Sequence, residues 1–465
     1  MRSPRVWRAW KWGVLARRDG YPDFRLDRML ARQERLSQTQ LQLLRRDKAR
    51  RLVRTCLENV PYYGDLLRDL RVGPEDLQGP EDLRALPLLT REIVTREKPR
   101  ILNRSLRPDE YYPHSTGGSS GTPLEFYRGY DYDRLAVAAG NMRAWRRMGW
   151  RPGDAMVRFW MTHAAVAPGA IGSRLRAGIR RWLSPPEMTF DPLDASPAIV
   201  SGWVDRIASF GPCFLYGYGS LLALVARDAS RRGLQLPAVR GIASTAEALF
   251  ASDREMLRRA CPGAPIIDIY GSREVPGVAA ECSRGTMHLN TDLVDVEFLP
   301  DGDAGRHRLV LTSLDNLAFP FLRYDIGDRG EPLDAACGCG LPFPGMRWGI
   351  GRVVDLFVTP DGREIYTGPL EELMYGIRGV HRYQFLQETP DRIVVSLVPT
   401  EGFDASSRAH LDRVCQRIGI LFGPEARFEV RIVPDIPPTR SGKHLYFVSR
   451  VRSRQFERNQ TEEVG

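Results

Sequence analysis

The period of apolar and polar positions changes several times along the chain. From Leu30 to Val60 the residues Leu36, Leu43, Leu44, Leu52, Val53, Cys56 and Leu57 share one broad face among arginines and glutamines, which predicts an amphipathic helix. The pentapeptide GPEDL then occurs twice, at Gly73–Leu77 and Gly79–Leu83. Proline followed by two carboxylates suits a first helical turn, so the duplication predicts two adjacent helix starts and not a repeat fold. Further on, continuous apolar runs take over. AMVRFW (Ala155–Trp160), CFLYGY (Cys213–Tyr218), AVRGIAST (Ala238–Thr245) and PIIDIYGS (Pro265–Ser272) read as buried strands. Helical stretches near Ser220–Arg232 and Ala246–Ala260 separate the last three. This alternation predicts an α/β domain with a largely parallel sheet flanked by helices.

DLVDVEFL and RHRLVLTSL, either side of PDGDAG, predict an antiparallel pair. The pattern restarts near Gly351, where GRVVDLFVTPDGREI gives two short strands about a Pro-Asp-Gly turn. YQFLQE, RIVVSLVP and ARFEVRIV add strands around a helix near Ser406–Leu421, the mixture of a small α+β domain. The expected organisation is a basic helical extension over residues 1–60, a large domain over 61–350 and a small C-terminal domain over 351–465.

Composition narrows the classes. At 465 residues, 43% hydrophobic and 27% charged, the chain suits a folded multi-domain protein and argues against wholesale disorder. The net charge of +10 is compatible with nucleic acid, an anionic membrane or a phosphorylated ligand. That charge is spread along the chain, with no RNA-binding signature or zinc-finger spacing, so no nucleic-acid partner is expected. Seven cysteines, an odd number, do not form a disulfide framework and point to a reducing, cytoplasmic setting. In the opening MRSPRVWRAWKWGVLARR, charges interrupt every apolar run, and neither a signal peptide nor a membrane span is expected. Val6, Trp7, Trp10 and Val14 nevertheless share helical spacing among Arg2, Arg5, Arg8 and Lys11. Two readings stay open: a weak peripheral contact with an anionic bilayer, or a terminal helix packing its tryptophans on the body.

HSTGGSSGTP (His114–Pro123) combines glycines with hydroxyl residues. Backbone N–H groups without Cβ obstruction can converge on phosphates, although the loop lacks the Gly-Lys-Ser/Thr ending of the common nucleotide loop and a surface hairpin has the same composition. DIYGSREV (Asp268–Val275) places Glu274 after a strand end and a tight turn, where a carboxylate reaches a metal ion or a helix N-terminus. FPFLRYDIGDRG (Phe319–Gly330) ends in acidic residues, of which Asp328 either binds a ligand or closes a turn with Gly327. PPTRSGKHLYFVSRV offers Lys443 on a Ser-Gly turn.

In order and spacing these segments, with GRVVD and with LPLLTREIV (Leu86–Val94), resemble the adenylate-forming acyl ligases, and among them the phenylacetate-CoA ligase branch with its capsular-polysaccharide relatives. The resemblance spans roughly Pro61 to Val451. It implies that Thr116, Gly117, Gly118, Ser119, Ser120, Gly121 and Thr122 grip the β- and γ-phosphates of ATP. It implies that Tyr270, followed by Gly271, stacks on adenine and that Glu274 helps to hold Mg2+. Asp328 would bind the ribose hydroxyls, with Arg352 nearby, and Glu247 of STAEAL would precede the adenine pocket. Lys443, on a mobile C-terminal domain, would bridge the substrate carboxylate and the α-phosphate. A carboxylate is already ionised at neutral pH, so the reaction needs positive charge and positioning and no base.

The chain departs from the superfamily in places. Thr122 stands where a lysine is common in the phosphate loop, Asp325 where many relatives carry arginine, and Val354 before Asp355 where two acidic residues often mark the hinge. Adenylation is accordingly better supported than transfer to CoA. The expected enzyme is an AMP-forming carboxylate ligase with CoA as acceptor. An amine or hydroxyl acceptor in surface-polysaccharide or natural-product assembly is the alternative, and a nucleotide-binding protein without turnover the second.

ECSRGTMH and ACGCG supply Cys282, His288, Cys337 and Cys339, a thiolate and imidazole set suited to tetrahedral zinc, although the spacing is not the usual paired one and reduced buried cysteines account for it equally. Similar sets occur in the phenylacetate-CoA ligase branch, which implies a structural zinc with no catalytic role. Tyr216, Tyr218 and Ser244 occupy positions that line the carboxylate substrate in relatives, with Phe159 and Trp160 as further candidates. Arg174, Arg176, Arg180 and Arg181 read as a solvated helix face or as contacts to CoA phosphates.

Overall fold

The computed structural model describes residues 24–116, 124–160, 186–191, 195, 197–247, 249, 251–300, 307–347, 356–362, 364–366, 374, 377, 379–437 and 445–451. The helix expected over Leu30–Val60 is two helices, Phe24–Gln33 and Gln38–Asn59. Ser37 divides them: its hydroxyl accepts from the Gln40 N–H at 3.2 Å while Gln40 Oε1 accepts from the Ser37 N–H at 3.0 Å, a reciprocal cap that starts a new helix. Leu26, Leu30, Leu52, Val53 and Cys56 from this pair pack in the same apolar cluster as Trp145, Phe319 and Phe321. The two GPEDL segments form short 3-10 turns, Pro74–Asp76 and Pro80–Ala85. In each the aspartate accepts from the preceding glycine N–H, Asp76 from Gly73 at 2.8 Å and Asp82 from Gly79 at 3.1 Å.

A hairpin of β1 (Tyr111–Ser115) and β2 (Glu125–Gly129) carries the glycine loop. The parallel strands follow: β3 (Met156–Phe159), β4 (Glu187–Phe190), β5 (Cys213–Tyr218), β6 (Val239–Thr245) and β7 (Ile266–Tyr270). Antiparallel pairing then carries the sheet through β8 (Ala279–Glu281), β9 (Met287–Leu289), β10 (Val294–Pro300), β11 (His307–Ser313), β12 (Tyr324–Leu333) and β13 (Gly345–Arg347). Among the described residues these make an 11-stranded sheet ordered β10-β11-β12-β13-β9-β8-β7-β6-β5-β3-β4.

CFLYGY is apolar throughout because both faces of β5 are covered: Phe214 and Tyr216 join one apolar cluster, Cys213 and Leu215 the other. Helices Gly219–Arg231 and Ala251–Ala260 supply the second cluster with Leu222, Val225 and Leu257. The latter helix was expected from Ala246. It starts five residues later because Ala246 has φ +68°, a left-handed conformation through which no right-handed helix passes.

LPLLTREIV docks on the sheet. Leu89 bridges Tyr324 in parallel, and Thr90 Oγ1 accepts from the Ile93 N–H at 3.4 Å to open helix Arg91–Ile101. Towards the C-terminus β14 (Leu356–Val358) pairs antiparallel with β15 (Glu364–Tyr366). Among the described residues a four-stranded sheet ordered β18-β17-β16-β19 is built from β16 (Val380–Thr389), β17 (Arg392–Pro399), β18 (Arg427–Ile432) and β19 (Phe447–Ser449). Helix Ala405–Phe422, capped by Asp404, packs on it through Leu411, Val414 and Ile418 in a separate core with Phe357 and Phe385. Among the described residues no helix is long and apolar enough to cross a membrane.

Candidate functional site

Parallel strands aim their C-terminal ends at one edge, where α/β proteins bind ligands. Here β7 ends in Tyr270 and turns sharply. A Cβ on Gly271 would lie 2.7 Å from Gly277 N, so glycine is required, and Ser272 closes the turn by accepting from and donating to Val275 at 3.0 Å each. The turn presents Glu274, 8% exposed, whose Oε1 accepts from the Tyr324 hydroxyl at 3.3 Å. Burial, with Glu274 beside it, pushes the Tyr324 hydroxyl well above its ordinary pKa, so it stays a donor.

Tyr270 also reaches β12: its hydroxyl donates to Asp328 Oδ2 at 2.9 Å, and both residues are buried. The turn at Gly327 is closed by Asp325, whose Oδ1 accepts from the Gly327 N–H at 3.1 Å while its Oδ2 accepts from Arg308 at 2.9 Å.

The stem of the glycine loop lies against this turn. Thr116 closes it by donating its N–H to Leu124 O at 3.0 Å and accepting from the Leu124 N–H at Oγ1 at 2.9 Å. Arg273 Nη1 donates to Ser115 O at 3.0 Å, and Arg128 donates to Arg273 O. Gly117, Gly118, Ser119, Ser120, Gly121, Thr122, Arg352, Val354, Asp355 and Lys443 lie outside the described residues, as do the N-terminal tryptophans and Arg174–Arg181. Glu247 sits beyond the left-handed Ala246, and its Oε2 accepts from the Ser220 N–H at 2.9 Å, capping helix Gly219–Arg231.

Among the acyl-pocket candidates, Trp160 packs against both tyrosines, 5.8 Å from Tyr216 in a stacked arrangement and 4.8 Å from Tyr218. Trp145 meets Tyr216 edge-on at 5.2 Å. Ser244 does not share the face of Tyr216: it pairs in register with Gly217 and Asp268, on the sheet face of Ile242. Its neighbour Asp268 is buried beside Glu281, itself held by Arg254 at 2.8 Å, and burial followed by the Glu281 charge raises its pKa to about 7.

The structure brings Cys282, His288, Cys337 and Cys339 together, their ligand atoms all within 4.8 Å of one another. His288 Nδ1 contacts Phe343 O at 2.7 Å, which turns Nε2 towards Cys339 Sγ at 3.2 Å. Hydrogen bonding with Thr286 first, then with His288 and the neighbouring thiols, brings the Cys337 thiol down to about 6. Three thiols and one oriented imidazole are the donor types that tetrahedral zinc takes.

Arg273, the Glu247 cap and the Asp268–Glu281–Arg254 group escaped sequence reasoning. Each depends on partners distant in the chain.

The CapK C-terminal domain family matches residues 357–450. Phenylacetate-coenzyme A ligase of Thermus thermophilus is 28% identical over 363 residues, covering 74% of this chain and 77% of that protein. Protein CapK of Staphylococcus aureus is 22% identical over 405 residues, covering 85% and 86%. Among solved structures, 2-hydroxyisobutyryl-CoA ligase in its postadenylation state, in complex with an acyl-AMP, superposes with TM-score 0.67 at 19% identity, covering 94% of each chain. The fold is that of the adenylate-forming ligases. In sequence the chain is similar to phenylacetate-CoA ligases and to CapK.

Proposed function

We propose that the protein is an AMP-forming carboxylate ligase: a carboxylate oxygen attacks the α-phosphorus of ATP, pyrophosphate leaves, and the thiol of CoA then attacks the acyl carbon and releases AMP. The observation that carries this reading is the joining of Tyr270 to Asp328, with Glu274 and the glycine-loop stem on the same turn. In a fold shared with an acyl-CoA ligase, an aromatic ring, two buried carboxylates and the stem of the glycine loop around one strand end support it. Likeness to phenylacetate-CoA ligases supports CoA as the acceptor.

In this reading Asp328 accepts from the ribose hydroxyls, Tyr270 flanks adenine, and residues 116–122 wrap the phosphates. Glu274, presented by the Ser272–Val275 turn and held by Tyr324, would hold Mg2+, which when bound offsets the negative charge of the polyphosphate. Lys443, on a C-terminal domain over residues 351–465, would bring its amine to the carboxylate and α-phosphate. Trp160, Tyr216 and Tyr218 would wall an acyl pocket suited to a ring or a medium-sized apolar chain. Cys282, His288, Cys337 and Cys339 would hold a structural zinc: with four protein donors, no position remains for substrate. Pyrophosphate exchange driven by a panel of carboxylic acids tests the first half-reaction, and CoA-dependent release of AMP tests the second. AMP release that needs an amine or hydroxyl acceptor would replace CoA in this scheme.

A further inference from the structure

Helix Ala138–Arg147 packs on β7 and β8 and carries Arg143, Arg146 and Arg147. Arg143 is gripped by both carboxylate oxygens of Asp292 at 2.8 Å each, and Arg146 is paired with Asp27. The partners of Arg147 are different. Its side chain is 7% exposed, and Glu34 approaches its Nε at 3.6 Å, too far for a hydrogen bond and shared with Arg143 at 3.8 Å and Arg146 at 3.6 Å. Its Nη1 donates to Ala280 O at 2.6 Å and to Glu281 O at 3.3 Å, the two carbonyls directly before Cys282. The guanidinium therefore stands where β8 runs into the thiol cluster. Burial first, and then Arg143, draw its pKa down to about 10, while Glu34 and the sulfurs of Cys282 and Cys339 pull it up.

The cluster has the complementary need. A zinc ion held by three thiolates and a neutral imidazole leaves one net negative charge. Cys282 and His288 are both buried, and a buried charge without an opposite one is costly. A backbone donor meets part of that cost, since the Arg284 N–H reaches Cys282 Sγ at 3.3 Å. The Arg284 guanidinium lies over Gly338, 3.5 Å from where a Cβ would stand, yet this residue is exposed and water screens its field. Arg147 is buried, and its field at the sulfurs is screened far less.

We infer that Arg147 is the counter-charge of the zinc-loaded cluster of Cys282, His288, Cys337 and Cys339, acting through space on the thiolates while its hydrogen bonds to Ala280 O and Glu281 O hold the strand that presents Cys282. This rests on the zinc reading of the cluster. Arg147 is a positioning residue and no ligand: a guanidinium keeps its protons, so it acts from outside the four donors and tunes how tightly they hold the metal.

The test is zinc affinity, measured by competition with a chromophoric chelator on full-length wild type, R147M, R147Q and R147K, together with the visible spectra of the cobalt-substituted proteins. R147M and R147Q are expected to bind zinc about 10- to 100-fold more weakly, the range for residues that act on metal ligands from outside the coordination sphere, while keeping the tetrahedral cobalt spectrum of the wild type. R147K, which restores the charge without the fork, should recover most of the loss. Unchanged affinity in both neutral variants, an equal loss in R147K, a changed cobalt spectrum, or failure of both neutral variants to fold with zinc present would each overturn the inference, assigning Arg147 to the architecture of β8. Wild type that binds no zinc would instead overturn the zinc reading beneath it.

Discussion

The Tyr270 hydroxyl donates to Asp328 Oδ2 at 2.9 Å, tying the last residue of β7 to the body of β12 across 58 positions of sequence. Both side chains are buried, so the bond restricts the orientation of the Asp328 carboxylate, to which the proposed function gives the ribose contact. Asp328→Asn is expected to raise the KM for ATP by about 10- to 100-fold, because a hydrogen bond to a charged acceptor contributes roughly 1.5–3 kcal/mol. Tyr270→Phe should raise it less. Steady-state kinetics with ATP varied check this; equal KM values in wild type and both variants would remove Asp328 from the nucleotide site.

Lys443→Ala should reduce the adenylation rate by about 100-fold or more, following the roughly 3 kcal/mol attributed to single charge-stabilising donors. The KM for the carboxylic acid should change little. Single-turnover formation of the acyl-adenylate separates this rate effect from a loss of binding.

Purified protein should contain one zinc per chain by elemental analysis. Cys337→Ser and Cys339→Ser should lower zinc content and Tm together, since structural zinc contributes directly to folding free energy. The KM for ATP, measured below the new Tm, should be unaffected. A zinc-free wild type with unchanged stability would return the cluster to reduced cysteines.

Asp268 gives a pH prediction. Its pKa is raised to about 7 in the folded protein, first by burial and then by Glu281. The native state therefore holds a proton that the unfolded chain releases near pH 4, and this group's contribution to stability falls as pH rises through that window. Asp268→Asn should melt several degrees above wild type at pH 8, and the two should converge below about pH 4. Melting curves across that range decide it; a constant gap would show that the carboxyl does not titrate there.

Much of this architecture was legible because buried parallel strands are continuous apolar runs: CFLYGY and PIIDIYGS needed no tertiary knowledge. The Cys and His constellation was legible only with the resemblance beside it, since its spacing alone suits reduced buried cysteines equally; the structure brings the four side chains together. The break at Ser37 was not, because a capping box is a polar exchange that leaves the apolar period of Leu36 and Leu43 unchanged. Strands of three or four residues, such as Ala279–Glu281 and Glu187–Phe190, are too short to show a period. Ser244 was grouped with Tyr216 from its position in relatives, yet the alternation of β5 and β6 sends the two side chains to opposite faces. The Arg273 contact carried no local signal, as its partner Ser115 is distant in the chain.

The most direct measurement follows radiolabelled ATP, carrying the label on its α-phosphate, during incubation with the protein, Mg2+, CoA and a panel of aromatic and medium-chain acids. An AMP-forming ligase yields labelled AMP and an equal amount of pyrophosphate, dependent on one or more acids. Labelled ADP with inorganic phosphate, or ATP that binds and is never converted to AMP with any acid, would contradict the account.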